Sequence, residues 1–448
     1  MGKILDEVLV RVKPDGTLRE RTRLVLSELE HRITELKTTL IEKDSDEKTD
    51  FTIIHVGSTA KGTELTTGDI DLFLGFDPGT PESALKRITF SIGEQLFDEH
   101  EIKYAEHPYI RGIYHGMEVD LVPCYRVESG DMIQSAVDRT PFHTQYILEH
   151  LSDDQKDDVR LLKAFLKGIG CYGAENKTMG FSGYLCELLV LRYGTFAEVL
   201  QNVCRWEHDT FIDLEGTGYL GPKHGRTFIV VDPVDPGRNV ASPVSAERIA
   251  GFIHASRHFL EHPSISFFFP APREMLDRKD IEGEVTQRGE IIGMEFRVPD
   301  TIDDILYPQL RLTMERLRSL IKDHGFELND DFHMVSDGRI YLILEFRVSR
   351  LPDLVLHRGP TVYNANHEAR FLDKWGERDP FLVGDRWFVH APAKFRTARD
   401  LLDSKLPTLQ TGRHIMKAIA SGTRILDSED IPLEVLSAFI DRRMPWEW

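Results

Sequence analysis

The chain is poor in cysteine, in positive charge and in long apolar runs, and each shortage removes a class of protein. Only four cysteines occur in 448 residues, Cys124, Cys171, Cys186 and Cys204. None stands in a CxxC pair, which excludes a zinc ribbon or a disulfide framework and points to reduced thiols in a core. No window approaches the ~18 uncharged apolar residues of a membrane span. The opening stretch, MGKILDEVLVRVKPDG, sets acids inside its only apolar run and has no small-residue cleavage site. The expectation is a cytoplasmic chain with no signal peptide and no membrane partner. Lys and Arg number 55 against 74 Asp and Glu, a net charge of −19, which argues against broad, nonspecific binding to nucleic acid. Common nucleotide-binding loops are missing too. There is no Gly-x-x-x-x-Gly-Lys-Ser/Thr, and Gly216-Thr-Gly218-Tyr-Leu-Gly221 is followed by Pro222 and a strand where a dinucleotide fingerprint requires a helix. The histidines show no zinc spacing.

What is present is a mixture of periodicities. With 41% hydrophobic residues the chain can bury real cores, and its length suits about three domains. After the Pro14-Asp15-Gly16 turn, Leu18, Val25, Leu29, Ile33, Leu36 and Leu40 recur at helical spacing. Phe51–Val56 and Ile70–Phe76 read as strands, Ser83–Phe97 as a helix and Met117–Tyr125 as a third strand. From Ser152 the pattern turns helical, with Val159, Leu162, Phe165, Leu166 and Ile169 on one face, further helices over Phe181–Trp206 and another within Val240–Pro263. Beyond Pro270 a strand (Ile291–Val298), a helix carrying Leu310, Met314, Leu317 and Ile321, and strands at Phe332–Val335 and Arg339–Val348 follow. The class is α+β, with domains expected at residues 1–148, 149–264 and 265–448.

The chemistry concentrates in three segments, Gly57-Ser58-Thr-Ala-Lys61, Gly68-Asp69-Ile-Asp71 and Glu118-Val-Asp120. Alternation puts Asp69 and Asp71 on one face of a strand while Ile70, Leu72 and Leu74 enter the core. If the third strand lies alongside, Asp120 completes a cluster of three carboxylates. Their mutual repulsion demands cations, and hard divalent ions prefer carboxylate oxygens. Two such ions about 4 Å apart clamp both oxygens of an in-line phosphoryl displacement. A lone Asp-x-Asp is common by chance in so acidic a chain; the order of strand, Gly-Ser turn, acidic pair and third acid is not. Gly57 would let backbone approach a phosphate closely, and Ser58 at the start of a short helix could bind it.

Gly-Ser followed by Asp-x-Asp resembles the polymerase β-type nucleotidyltransferase superfamily. Further strings are similar to its class I, archaeal CCA-adding branch: Tyr104-Ala-Glu-His-Pro-Tyr109, Val122-Pro-Cys-Tyr-Arg126, Arg139-Thr-Pro-Phe-His143, Val159-Arg-Leu-Leu-Lys163, Gly170-Cys-Tyr172-Gly-Ala-Glu175, Gly180-Phe-Ser-Gly-Tyr184 and Val231-Asp-Pro-Val-Asp-Pro-Gly-Arg-Asn239. They follow the family's order over roughly residues 50–260. The resemblance implies a polymerase β-like head, a helical neck and an α+β C-terminal body and tail. It implies Asp69, Asp71 and Asp120 as the catalytic carboxylates binding two Mg²⁺ ions, with Asp120 placed to aid deprotonation of the primer hydroxyl. Gly57, Ser58, Lys61, His143, Lys163 and Tyr172 would hold the nucleoside triphosphate, Arg238 would bond the incoming base, and Thr140 and Glu106 would sit near by. One departure is Lys61, where the family more often carries Arg; Lys keeps the charge but loses the bidentate fork. The implied reaction adds C, C and then A to the 3′ end of tRNA from CTP and ATP. The implied partners are tRNA, CTP and ATP, with a homodimer as a candidate assembly.

Read without the family, several of these residues have plainer roles. Arg160, Lys163 and Lys167 form a basic stripe opposite an apolar helix face, ordinarily a solvated surface. His143 and Tyr172 would be packed core groups, and Arg238 an ion-pair partner of Asp232 or Asp235. Between Ala391 and Arg424 seven basic residues face only Asp400 and Asp403. That stretch, with the Arg311/Arg318/Lys322 helix face, is the candidate tRNA contact, read by duplex shape and phosphates. Two alternatives stay open: a related enzyme that adds A or U tails or makes linear oligoadenylate, and a non-catalytic RNA-binding relative.

Overall fold

The computed structural model describes residues 1–43, 50–103, 108–127, 132–222 and 228–447. The expected position of Glu106 lies outside the described residues. Two compact units emerge. One comprises Met1–Pro272 and takes back the chain from Met444 onward, and the other is Arg273–Arg443.

The first unit opens with helices α1 (Gly2–Val12) and α2 (Gly16–Lys43). A mixed sheet follows, made of β1 (Phe51–Val56), β2 (Ile70–Phe76), β3 (His100–Lys103), β4 (Tyr109–Tyr114) and β5 (Met117–Tyr125) in the order β1-β2-β5-β4-β3. The short α3 (Gly57–Lys61) joins β1 to β2, and α4 (Glu82–Leu96) follows β2. Only β2 and β5 run parallel, because the chain passes through α4 and the β3–β4 hairpin between them. Ile70, Leu72 and Leu74 of β2 are 0% exposed and pack with Val25, Leu29 and Ile33 of α2 and Ile88 and Ile92 of α4. The expected apolar stripe of α2 is thus the cover of one sheet face. The opposite face is left for Asp71 and Asp120.

Helices α5 (Thr140–His150), α6 (Asp153–Gly168), α7 (Gly183–Tyr193), α8 (Phe196–Val203) and α9 (Ala246–Glu261) form the rest of this unit with small strands β6 (Phe211–Ile212), β7 (Ile229–Asp232) and β8 (Asp235–Asn239). Ser152 caps α6 in a reciprocal box with Gln155, which fixes the helical start that the sequence implies. Phe165 lies at the centre, its ring within 6.3 Å of those of Phe196, Phe252, Phe259, Phe267 and Phe268. Trp446 joins this core and stacks on Phe267 at 5.2 Å. Cys124, Cys171 and Cys186 are buried free thiols, and Cys204 is free and half-buried.

The second unit contains α10 (Arg278–Gln287), β9 (Glu290–Arg297), α11 (Asp303–Asp323), β10 (Glu327–Ser336), β11 (Arg339–Val348), β12 (Leu354–Thr361), α12 (Ala365–Trp375), β13 (Phe381–Val383), β14 (Arg386–Pro392), α13 (Ala398–Lys405), α14 (Arg413–Ser421), β15 (Arg424–Asp427) and α15 (Leu433–Ile440). The strand–helix–strand–strand order is present in a sheet β10-β11-β9-β15. Leu342 and Leu344 face α11, α13 and α14, while Tyr341 and Ile343 face α10 and α15. With helices on both faces, this sheet offers no open platform for RNA bases. A smaller sheet, β12-β14-β13, packs against α12 through Val389, Ala391 and Phe371.

Candidate active site

The carboxylates converge because of strand register. Asp71 on β2 pairs with Asp120 on parallel β5, and Asp120 pairs in turn with Arg111 on β4. Asp69 stands just ahead of β2. One oxygen from each of the three lies within 4.8 Å of the others. Burial, and then the charges of Asp69 and Asp120, push the Asp71 carboxyl up to about 7. Asp120 is also raised by burial, although Arg111 opposes this with bonds of 2.6 Å from Nε to Oδ1 and 2.6 Å from Nη2 to Oδ2. Arg111 reaches Asp69 and Glu118 as well, each at 3.4 Å. Three hard oxygen donors this close together, with Asp71 and Asp120 both raised by burial, fit a divalent cation.

Gly57 follows β1 with φ of +76°. A Cβ on it would fall 1.9 Å from Asp71 Oδ2, so this glycine gives the acidic strand its room as well as freeing the backbone. Ser58 begins the helical turn that Gly62, in the left-handed region, ends.

The basic stripe of α6 is not solvated, which corrects the plain reading of Arg160. Arg160 and Lys163 are 3% and 2% exposed, because α6 is covered on that side by the 62–64 segment. Arg160 donates to Glu64 O at 2.9 Å and to Asp157 at 2.8 Å. Only Lys167 stays exposed, with Nζ 5.3 Å from the Tyr172 ring centre. Lys61 and Lys163 come from segments a hundred residues apart, yet both bond Glu187 on α7. Tyr172 reaches the same place: its hydroxyl and the Lys163 Cε lie 3.1 and 3.4 Å from where a Gly183 Cβ would be.

The third group centres on Asp232, which is 0% exposed. It accepts from Arg238 Nη1 at 2.8 Å, pairs with His143 Nε2 at 2.9 Å and accepts from Tyr184 Oη at 3.3 Å. His143 stacks on Tyr184 with ring centres 4.0 Å apart, and Lys61 Nζ lies 5.8 Å from the centre of the same tyrosine ring. Burial disfavours ionised Asp232, but the bonds and charges of His143 and Arg238 outweigh it and hold the carboxyl below the usual range. Burial also pushes the His143 imidazole down, against the pull of Asp232. Arg139 bonds Asp235 at 2.8 Å. The strings Arg139–His143 and Val231–Asn239 are therefore one ion-pair network. Thr140 precedes His143 by three residues on α5, hence on the same helix face.

Arg111, Glu187 and Tyr184 were not singled out from the sequence. Glu187 had a readable signal, as a lone carboxylate in GYLCELLVLRY. Arg111 had none, because its strand was not read from the sequence either. The basic stretch of the second unit is partly neutralised: Arg396 pairs with Asp353 at 2.5 Å, Arg424 with Glu295 at 3.4 Å and Arg399 with Asp427. Arg318 is held by Asp331 with two bonds of 2.7 Å. Arg413 and Lys417 on α14 are exposed. No helix is long and apolar enough to cross a membrane among the described residues.

Three families match successive parts of the chain: "Nucleotidyltransferase domain" over residues 33–143, "tRNA nucleotidyltransferase, second domain" over 157–269 and "CCA-adding enzyme, C-terminal domain" over 288–428. The chain is 39% identical over 458 residues to the CCA-adding enzyme of Methanothermobacter thermautotrophicus, covering 98% of each. It is 38% identical over 401 residues to that of Haloarcula marismortui, covering 85% of each. The corresponding figures for Archaeoglobus fulgidus are 35%, 440 residues and 97% of each.

Proposed function

Because the chain belongs to the family of CCA-adding enzymes, we propose that Asp69, Asp71 and Asp120 are its reaction centre and the cationic groups around them its nucleotide site. The protein is a tRNA nucleotidyltransferase that adds CCA to the 3′ end of tRNA without a template. The alternatives of tailing enzyme and non-catalytic relative fall away with that membership. The donors we assign are CTP and ATP. Each transfer joins a nucleoside monophosphate to the RNA 3′-hydroxyl and releases pyrophosphate.

The aspartates would hold the divalent ions, which we assign as Mg²⁺; when bound, these supply Lewis-acid charge at the attacking and leaving oxygens. Asp120 is the carboxylate we assign to the 3′-hydroxyl side, where it would accept the proton. Gly57 and Ser58 would let the backbone approach the phosphates, and Lys61 and Lys163 would neutralise their charge. Asp232 would orient the His143 ring and the Arg238 guanidinium toward the nucleotide base, with Tyr172 and Thr140 lining the pocket. A donor array set by the protein, not by a template strand, would then distinguish C from A. We assign the head to residues 1–148, the neck to 149–264 and the RNA-holding body and tail to 265–448, in a cytoplasmic enzyme that forms a homodimer.

The observation that carries this reading is the register of Asp71 opposite Asp120 on parallel strands, with Asp69 beside them. The test is to incubate the protein with Mg²⁺, CTP, ATP and tRNA ending at its discriminator base, and to sequence the products beside an Asp71→Ala control. CCA ends from the wild type alone are expected. Equal activity of Asp71→Ala would move the reaction centre elsewhere.

A further inference from the structure

Glu187 is 0% exposed, and its neighbours along α7 are Leu185, Cys186, Leu188 and Leu189, all equally buried. Its oxygens divide the work. Oε2 accepts from Lys61 Nζ at 2.5 Å, while Oε1 accepts from Thr63 Oγ1 at 2.6 Å and from Lys163 Nζ at 3.3 Å. Lys163 also donates to Thr63 O at 3.0 Å and Thr63 Oγ1 at 3.1 Å. Two ammonium groups and one carboxylate leave one positive charge nearly out of reach of water. Stability alone is a poor reason to build such a cluster, since apolar residues of similar volume usually serve a core as well or better. What the cluster does achieve is geometric. It ties the end of α3, the middle of α6 and the middle of α7 to one carboxylate, and α3 begins at the Gly57-Ser58 turn that runs against Asp71.

We propose that Glu187 is a positioning residue for the triphosphate: its carboxylate fixes the Lys61 and Lys163 ammonium groups where the phosphates of CTP and ATP are held, and takes no part in choosing the base. The proposal rests on the reading of the two lysines as nucleotide ligands. Each lysine sits at the end of a flexible four-carbon stem; Glu187 anchors Lys61 directly and holds Lys163 both by its own bond and through Thr63, whose hydroxyl it also accepts from. Lys61 keeps donors beyond the one given to Glu187, and Tyr184 flanks it on the side of His143. A single carboxylate thus sets the triphosphate end of the site, while Asp232 sets the base end.

The Glu187→Gln variant tests this. The KM for CTP and the KM for ATP should rise together, by about ten- to a hundredfold for a lost charge-assisted bond. In the reverse reaction the KM for pyrophosphate should rise by the same factor, because pyrophosphate uses the same lysines. The KM for tRNA and the ratio of C to A incorporation should stay at wild-type values, and Glu187→Asp should recover part of the loss. A purely structural role would lower kcat and melting temperature and leave these constants alone. Unchanged nucleotide and pyrophosphate KM in folded Glu187→Gln, or a change confined to one nucleotide, overturns the proposal. If that variant does not fold, the triple variant Lys61→Met/Lys163→Met/Glu187→Leu removes every charge at once. It should melt as the wild type does and bind CTP poorly; wild-type CTP affinity there overturns the reading of the lysines as ligands and the proposal with it, while wild-type nucleotide and pyrophosphate KM in Glu187→Asp overturns the proposal alone. If the single variants Lys61→Met and Lys163→Met both bind CTP normally, the fault lies instead in reading the lysines as ligands.

Discussion

The carboxylate end of the site and the cationic end are built on opposite electrostatic rules. At the first, Asp69, Asp71 and Asp120 are gathered with Arg111 the one side chain among the described residues that bonds them, and Asp71 resists ionisation up to about 7. At the second, buried charge is matched: Glu187 by Lys61 and Lys163, Asp232 by His143 and Arg238. The contrast separates a part that is complete only with its ligand from a part that is preorganised without it. The groups proposed to receive cations are left unsatisfied, and those proposed to aim at a nucleotide are locked before it arrives.

Four changes would break or sharpen that contrast. Asp71→Asn should have the largest effect, lowering CCA addition by about a thousandfold or more. It should also raise the melting temperature of the metal-free chain at pH 8, because a repelled carboxylate has gone; a fall in melting temperature would show that the end is not frustrated. Asp232→Asn should do the reverse, costing about 1–2 kcal/mol in denaturant unfolding by taking the acceptor charge from His143 and the half-buried Arg238 guanidinium and blurring the choice between C and A. Equal stability of the variant would mean that this end is not locked. The third concerns protons. A carboxyl whose folded pKa is raised from 3.8 to about 7 contributes stability below its unfolded value and loses it as pH rises through 7. A divalent ion must displace that proton, so Mn²⁺ titrations should give affinity that climbs from pH 5.5 to pH 8, with the melting temperature gained from Mn²⁺ climbing in parallel. Affinity independent of pH would place the cation elsewhere. The smallest effect is expected on tRNA binding: Arg413→Glu with Lys417→Glu should weaken it and flatten its salt dependence. Arg396→Glu with Arg399→Glu should weaken it less, since those cations already face Asp353 and Asp427. A reversed order would move the contact along the chain.

The main strands and helices of the head could be read from periodicity because one face of each is buried. The hairpin β3–β4 could not. His100–Lys103 has only four residues, three of them charged or imidazole, and Arg111-Gly112 interrupts the alternation of the next strand. The aspartates were legible for the same reason as the strands, since alternation alone puts Asp71 opposite the core. The fate of Arg160 was not legible, because a helix stripe opposite an apolar face is solvated only if nothing covers it. In α6 the 62–64 segment does. The pairing of Arg238 with Asp232 was readable from proximity along the chain, whereas His143 enters that network from 89 residues away.

Trp446 carries a consequence for synthesis on the ribosome. The core around Phe165 is otherwise assembled from residues before Phe269, but one of its aromatic pieces is translated more than 170 residues later. The second unit is an insertion, with the chain leaving the first unit at Pro272 and rejoining it at Met444. The first unit therefore stays unfinished while the second unit is made, and a chain terminated early in that interval emerges with an open aromatic slot against Phe267. Such a truncated product exposes apolar surface of the kind chaperones and proteases recognise, so the position of one tryptophan couples the soundness of the first unit to completion of the second.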